Sequence, residues 1–211
     1  MTECGFQDAV WAVRLLGDLF GCDPKTSQGA PALLEALASA NVEELAAQWP
    51  YVDADSALPL LREMQQEAAG DAGELARSYR HLFVGPNALA APPYGSVYTD
   101  RDRVVFGEST LALRDWLRRV GIGVSDLDGA PEDHIGTMLA LLAWMGERKP
   151  HLVDEYLMQH LLTWAPHYLE ELEEASTESP FYLALAKLAR MTLEGMQEER
   201  GLEVALPRFY Q

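Results

Sequence analysis

Apolar residues recur at three- and four-residue spacing along almost the whole chain, and that rhythm fails over one long stretch only. Such spacing puts the apolar side chains on one face of a helix, whereas a half-buried strand would alternate with period two. From 6 to 20 the stripe runs through Val10, Trp11, Val13, Leu15, Leu16 and Leu19. Later segments repeat the pattern with helix-start chemistry. Asn41 with Glu44 and Asp71 with Glu74 read as capping pairs, and Ser179-Pro180 reads as a cap followed by a first-turn proline. The face Leu75, Tyr79, Leu82 and Phe83 keeps the i, i+4, i+7, i+8 order. Roughly eight or nine helices and no sheet follow from counting these segments, so the expected fold class is all-α.

The interruption spans 85–106 and carries Pro86, Pro92, Pro93 and Gly95. A stretch of that length without its own period is uncommon in a compact domain and is often functional. Ser96-Val97-Tyr98 and Val104-Val105-Phe106 are expected as short extended pieces. Helices resume at Ser109. A second loop, 121–130, holds Asp126 and Asp128, and Pro131 suits the first position of the helix after it. The chain is read as one helical domain over 1–211, with an N-terminal portion at residues 1–85, the long loop at 86–106 and a C-terminal portion at residues 107–211.

Charge narrows the partners. Sixteen Lys and Arg stand against 33 Asp and Glu, a net charge of −17. That balance argues against nucleic acid and against an anionic membrane surface, and it suits a basic partner. Cys4 and Cys22 flank the first expected helix, roughly 27 Å apart at 1.5 Å rise per residue, too far for a disulfide. Reduced thiols, no signal-peptide pattern at the N-terminus and no membrane-length apolar run lead to the expectation of a soluble, cytoplasmic protein. Phosphate-binding glycine loops, a Gly-x-Ser-x-Gly elbow and His-Glu-x-x-His spacing are absent from the sequence, and no cofactor is expected. His151 with Glu155 and His167 with Glu171 are four apart and are read as polar helix pairs, not metal ligands.

Two clusters carry chemistry. In Pro131-Glu132-Asp133-His134 the acids would suit the positive end of a helix, with Asp133 accepting the N–H of Ala130, but His134 gains nothing there as a cation. In Pro92-Pro93-Tyr94-Gly95-Ser96-Val97-Tyr98-Thr99-Asp100, two prolines stiffen a loop that bears two tyrosines. Such a loop is either a recognition surface or simply tacked to the body.

Four ordered motifs resemble the TorD/DmsD family of redox-enzyme maturation chaperones, including its dimethyl sulfoxide reductase branch. They are Leu82-Phe83-Val84-Gly85-Pro86, Ala91-Pro92-Pro93-Tyr94-Gly95-Ser96-Val97-Tyr98, Phe106-Gly107-Glu108-Ser109-Thr110-Leu111 and Pro131-Glu132-Asp133-His134. The resemblance implies an all-helical, non-enzymatic chaperone. Its implied partner is the twin-arginine signal peptide of a molybdenum oxidoreductase catalytic subunit, held until export. It also implies a peptide site at Tyr79, Leu82, Phe83, Asn87, Pro93, Tyr94, Tyr98, Pro131, Asp133 and His134. Relatives often carry Trp where this chain has Tyr79, Asn87, Tyr94 and Tyr98, and a Pro-Trp pair where it has Thr163-Trp164.

A leader of that kind presents two guanidinium groups and an apolar stretch. Asp133, with Glu132 and Asp100 as helpers, is the expected guanidinium acceptor. Tyr79, Tyr94 and Tyr98 are the expected stacking faces, with Leu82 and Phe83 for the apolar stretch. Two other readings compete: a hydrolase built on Ser96, Asp133 and His134, and a generic acidic scaffold. Neighbours on a helix diverge by about 100°, so Asp133 is badly placed to orient His134. Monomer and swapped dimer are both open.

Overall fold

The computed structural model describes residues 4–86, 88–101, 105–123 and 131–205. Twelve α-helical segments are found among them, and the only β pairing there is an isolated antiparallel bridge, Tyr94 with His134. In chain order the helices are α1 Cys4–Gln7, α2 Val10–Gly21, α3 Ala30–Ala38, α4 Val42–Gln48, α5 Ala54–Ala68, α6 Ala72–Tyr79, α7 Gly95–Thr99, α8 Glu108–Arg119, α9 Ile135–Arg148, α10 Val153–Tyr156, α11 Ala165–Ala175 and α12 Pro180–Glu199. The backbone beyond α6 and α10 widens into π turns, Arg80–Val84 and Leu157–Leu161. No helix among the described residues is long and apolar enough to cross a membrane.

The residues form two compact units interleaved along the sequence: Met1–Gly21, Pro93–Pro166 and Leu202–Gln211 in the first, Cys22–Pro92 and His167–Gly201 in the second. The first is organised by the pairing of α2 with α9. Glycines set that approach. A Cβ on Gly136 would lie 2.9 Å from the backbone N of Gly21 and 3.0 Å from the carbonyl of Gly17. Trp116, Tyr156 and Trp164 fill the rest of this core, and the Tyr156 hydroxyl donates to the Met138 carbonyl at 3.0 Å. In the second unit α5 packs against α3, α4 and α12. There the buried Trp49 indole N–H donates to Thr192 Oγ1 at 2.9 Å. Arg190 ties α12 to α11 through Glu173 at 2.6 Å.

The expected caps at Asn41 and Asp71 form: their side chains accept from Glu44 N and Gly73 N. Ser179 starts α12 without a side-chain cap bond. Three expectations are corrected. The stripe 6–20 is not one helix; it breaks at Asp8 and Ala9, which lets Phe6 seat against Gly146 and Gln7 donate to the Gly146 carbonyl at 2.6 Å. Ser96-Val97-Tyr98 is helical, not extended, because Ser96 is gripped by a remote carboxylate and Thr99 Oγ1 closes the turn onto the Gly95 carbonyl at 3.0 Å. Pro131 does not open a helix. Residues 131–134 form a turn, with His134 N donating to the Pro131 carbonyl at 3.1 Å, and α9 begins at Ile135. Asn87, Val104, the loop acids Asp126 and Asp128, and Ala130 lie outside the described residues.

Candidate functional site: a clipped loop and a cavity

The proline-rich segment and the stretch before α9 are sewn together within the first unit. Gly95 N donates to the Asp133 carbonyl at 3.0 Å, and Ile135 N donates to the Pro93 carbonyl at 2.9 Å. These two bonds flank the Tyr94–His134 bridge, and the Tyr94 ring meets the His134 ring edge-on at 5.4 Å.

Side chains reinforce the clip. One oxygen of Asp133, Oδ2, accepts from Ser96 N at 3.0 Å, Ser96 Oγ at 2.6 Å and Thr110 Oγ1 at 2.9 Å. Ser96 and Thr110 are fully buried and Asp133 is 3% exposed. Three donors on one oxygen hold α7 and the start of α8 to the turn before α9. The other oxygen, Oδ1, is buried and has no hydrogen-bond partner among the described residues. A buried acceptor left unmade costs about 1–3 kcal/mol, so it marks a place where something else is expected to bind.

The two helper acids already have partners, although the second Glu132 oxygen is buried without one among the described residues. Glu132 accepts from Arg114 Nε at 2.7 Å, and this bond raises the pKa of Arg114. Asp100 accepts from Ser109 N through both oxygens, at 3.1 and 3.2 Å, and so caps the first turn of α8. A Cβ on Gly107 would collide with that Asp100 carboxylate.

His134 is explained as a cap. Its Nδ1 accepts from Gly136 N at 3.1 Å, which leaves the proton of the neutral ring on Nε2. Burial pushes its pKa down to about 4, with Asp133 pulling the other way. A neutral imidazole serves at a helix N-terminus where the cation would not. This arrangement also removes the hydrolase reading, since Ser96 Oγ bonds the carboxylate and the imidazole faces α9.

Asp133 lines a cavity of about 200 Å³ in the first unit. Its inner wall holds Gly95, Leu113, Met138 and Trp164, while Ala112, Gln159 and Ala205 are exposed at its rim. Tyr98 is buried and stacks on Trp164 at 5.8 Å, so it is a support for this wall and not an open stacking face. Pro93 is buried, whereas Tyr94 and Pro131 are half-exposed. Tyr79, Leu82 and Phe83 belong to the second unit and are buried there. Tyr79 stacks on Phe83 at 4.9 Å, and both rings contact Tyr182. Leu82 lines a separate cavity of about 160 Å³ with Pro86, Ala88, Ala90, Ala91 and Ala175.

Sequence reasoning missed Thr110, Ser109 and His160. Thr110 and Ser109 stand within a quoted motif, Phe106 to Leu111, but their spacing from Asp133 gives no hint of contact. His160 lies between Leu157 and Leu161 in an apolar run and reads as helix filler. Its ring packs on Trp116 at 5.2 Å, and burial and Arg119 lower its pKa to about 4, with Glu155 opposing. Of the two expected polar pairs, His167 meets Glu171 at 3.4 Å, whereas Glu155 accepts the Trp116 indole N–H at 2.7 Å in place of pairing with His151.

Two half-buried neutral imidazoles make stability depend on pH. Their folded pKa values, about 4, lie below the unfolded value of about 6.5. Between those limits the unfolded chain binds protons that the folded chain does not. Stability is therefore complete above pH 6.5 and falls as pH drops towards 4, by about 1.4 kcal/mol per unit per histidine. Urea unfolding at pH 7 and pH 5 is expected to differ by roughly 2–4 kcal/mol, and His160→Phe should remove about half of that difference. Equal stability at the two pH values would show that these rings are charged or exposed.

Comparison with known proteins now adds a lineage to the geometry. A family model described as the nitrate reductase delta subunit matches residues 23–170. The chain is 38% identical over 200 residues to the Tat proofreading chaperone DmsD of Salmonella typhi, covering 94% of each chain. The chain belongs to the TorD/DmsD chaperone family. The chaperone protein TorD of Vibrio cholerae is 31% identical over 128 residues, 55% of this chain and 57% of that protein. A crystal structure of a candidate redox enzyme maturation protein from Archaeoglobus fulgidus shares the fold, with a TM-score of 0.55 and 20% identity over 88% of this chain and 93% of that one. As a member of this family the chain is a chaperone of redox-enzyme maturation and not an enzyme.

Proposed function

We propose that this chaperone binds the twin-arginine signal peptide of a molybdoenzyme catalytic subunit of the dimethyl sulfoxide reductase type, in the cytoplasm before Tat export. The observation that carries this reading is the unmatched Asp133 oxygen, buried on the wall of a solvent-opening cavity beside the half-exposed Tyr94 and His134. A guanidinium is the side-chain group best suited to it, because it brings several fixed N–H donors and a charge that is shed from water cheaply. A relative at 38% identity is named a Tat proofreading chaperone, which supports the leader as its source.

The peptide site is narrower here than the family positions imply. Asp133 lines its cavity, and Tyr94, His134 and Pro131 are its half-buried neighbours. Tyr98 and Pro93 brace it, Glu132 and Asp100 hold the scaffold, and Tyr79 and Phe83 brace the segment that carries Leu82.

Isothermal titration with a synthetic twin-arginine leader tests the proposal. Binding is expected, and changing both arginines to lysine should weaken it at least about tenfold, since lysine cannot present a planar fork. Equal affinity for the two peptides would favour a diffuse acidic surface instead.

A further inference from the structure

Three buried polar atoms in the first unit lack a hydrogen-bond partner among the described residues and belong to residues lining the same cavity: Asp133 Oδ1, Ser109 Oγ and His160 Nε2. They come from three separate elements. Asp133 sits in the turn before α9, Ser109 in the first turn of α8, and His160 in the π turn after α10. Unmade buried groups are uncommon, and π turns are frequent at functional sites.

We infer that the cavity seats a single guanidinium group, with Asp133, Ser109 and His160 as its three acceptors and the Trp164 indole as its apolar wall. The inference deepens the leader-binding proposal and rests on it for the biological source of the cation. It adds Ser109 and His160 as specificity-determining residues.

The chemistry of the lining fits that ligand. Burial keeps the His160 ring neutral against the pull of Glu155, so it can accept from a cation without repelling it. Ser109 uses its backbone N–H on Asp100, which leaves the hydroxyl for the cavity. Trp164 is fixed in place: a Cβ on Gly95 would come within 2.8 Å of its indole nitrogen, and Tyr98 stacks on it at 5.8 Å. An aromatic wall beside three acceptors favours a planar, weakly hydrated guanidinium over a compact ammonium. A volume of about 200 Å³ is ample for such a head group.

Methylguanidinium and methylammonium chlorides are the probes. Titrated into the full chain and followed by NMR, methylguanidinium is expected to give saturable shifts at the His160 ring and the Trp164 indole, which methylammonium does not reproduce. Absence of such shifts overturns the inference. In leader titrations, Ser109→Ala and His160→Phe should each weaken binding about fivefold or more. Ser109→Ala leaves the cap of α8 intact, and His160→Phe keeps the ring packing. A leader that binds wild type and both variants equally overturns the inference while the leader reading stands. Methylguanidinium binding with no leader binding upholds the cavity and removes the leader reading.

Discussion

Replacing Asp133 by Asn is expected to weaken leader binding about 100-fold, or some 2.7 kcal/mol, while the protein stays folded. The asymmetry of the carboxylate is the reason. Its Oδ2 receives all three donors from Ser96 and Thr110, and the amide oxygen of Asn can take that role unchanged. The amide nitrogen then occupies the position of the unmatched Oδ1. A donor faces the guanidinium donors, and the charge is gone. Asp133→Ala should behave differently. It orphans Ser96 N, Ser96 Oγ and Thr110 Oγ1 in a buried setting, at a cost of about 3–5 kcal/mol in folding stability. The buried network therefore makes Ala a poor probe of binding alone. Calorimetric titration of Asn and urea unfolding of Ala separate the two roles. If Asn binds the leader as wild type does, Asp133 is no anchor.

Gly136→Val is expected to cost about 3 kcal/mol or more of stability, at the upper end for overpacking. A side chain there must push against the backbone of Gly17 and Gly21, and no rotamer change relieves a clash with backbone. The helices α2 and α9 would have to separate. Because α9 begins one residue after His134, the same movement would shift the Asp133 clip, and leader affinity should fall along with stability. Gly21→Ala is the matched control: its Cβ meets nothing within 4 Å, so unfolding should be unchanged or slightly later. Equal unfolding midpoints for Gly136→Val and wild type would mean the helices do not approach so closely.

How far the sequence could be read follows from the range of each interaction. Helix class and the Asn41 and Asp71 caps were legible, because apolar period and capping chemistry are local signals. The start of α9 was not. Pro131 carries a strong local preference for a helix start, but Gly95 and Pro93 draw the Asp133 and Ile135 backbone into a bridge, and that pairing outweighs it. The helical state of Ser96 to Tyr98 is a tertiary effect of the same kind. Aromatic residues were read as ligand faces, yet Tyr79, Phe83 and Tyr98 are packed inside, since a large ring gains more from burial than from display. His160 was invisible because it forms no recognisable motif with its sequence neighbours.

The clip joins residues 37 positions apart, Ser96 to Asp133. Closing so wide a loop is entropically slow and comes after the local helices. An unfinished copy of the protein, helices already wound, would thus own every residue of the receptor without owning the receptor. Under the proposed function, leader capture is in this way reserved for molecules that have completed their own maturation.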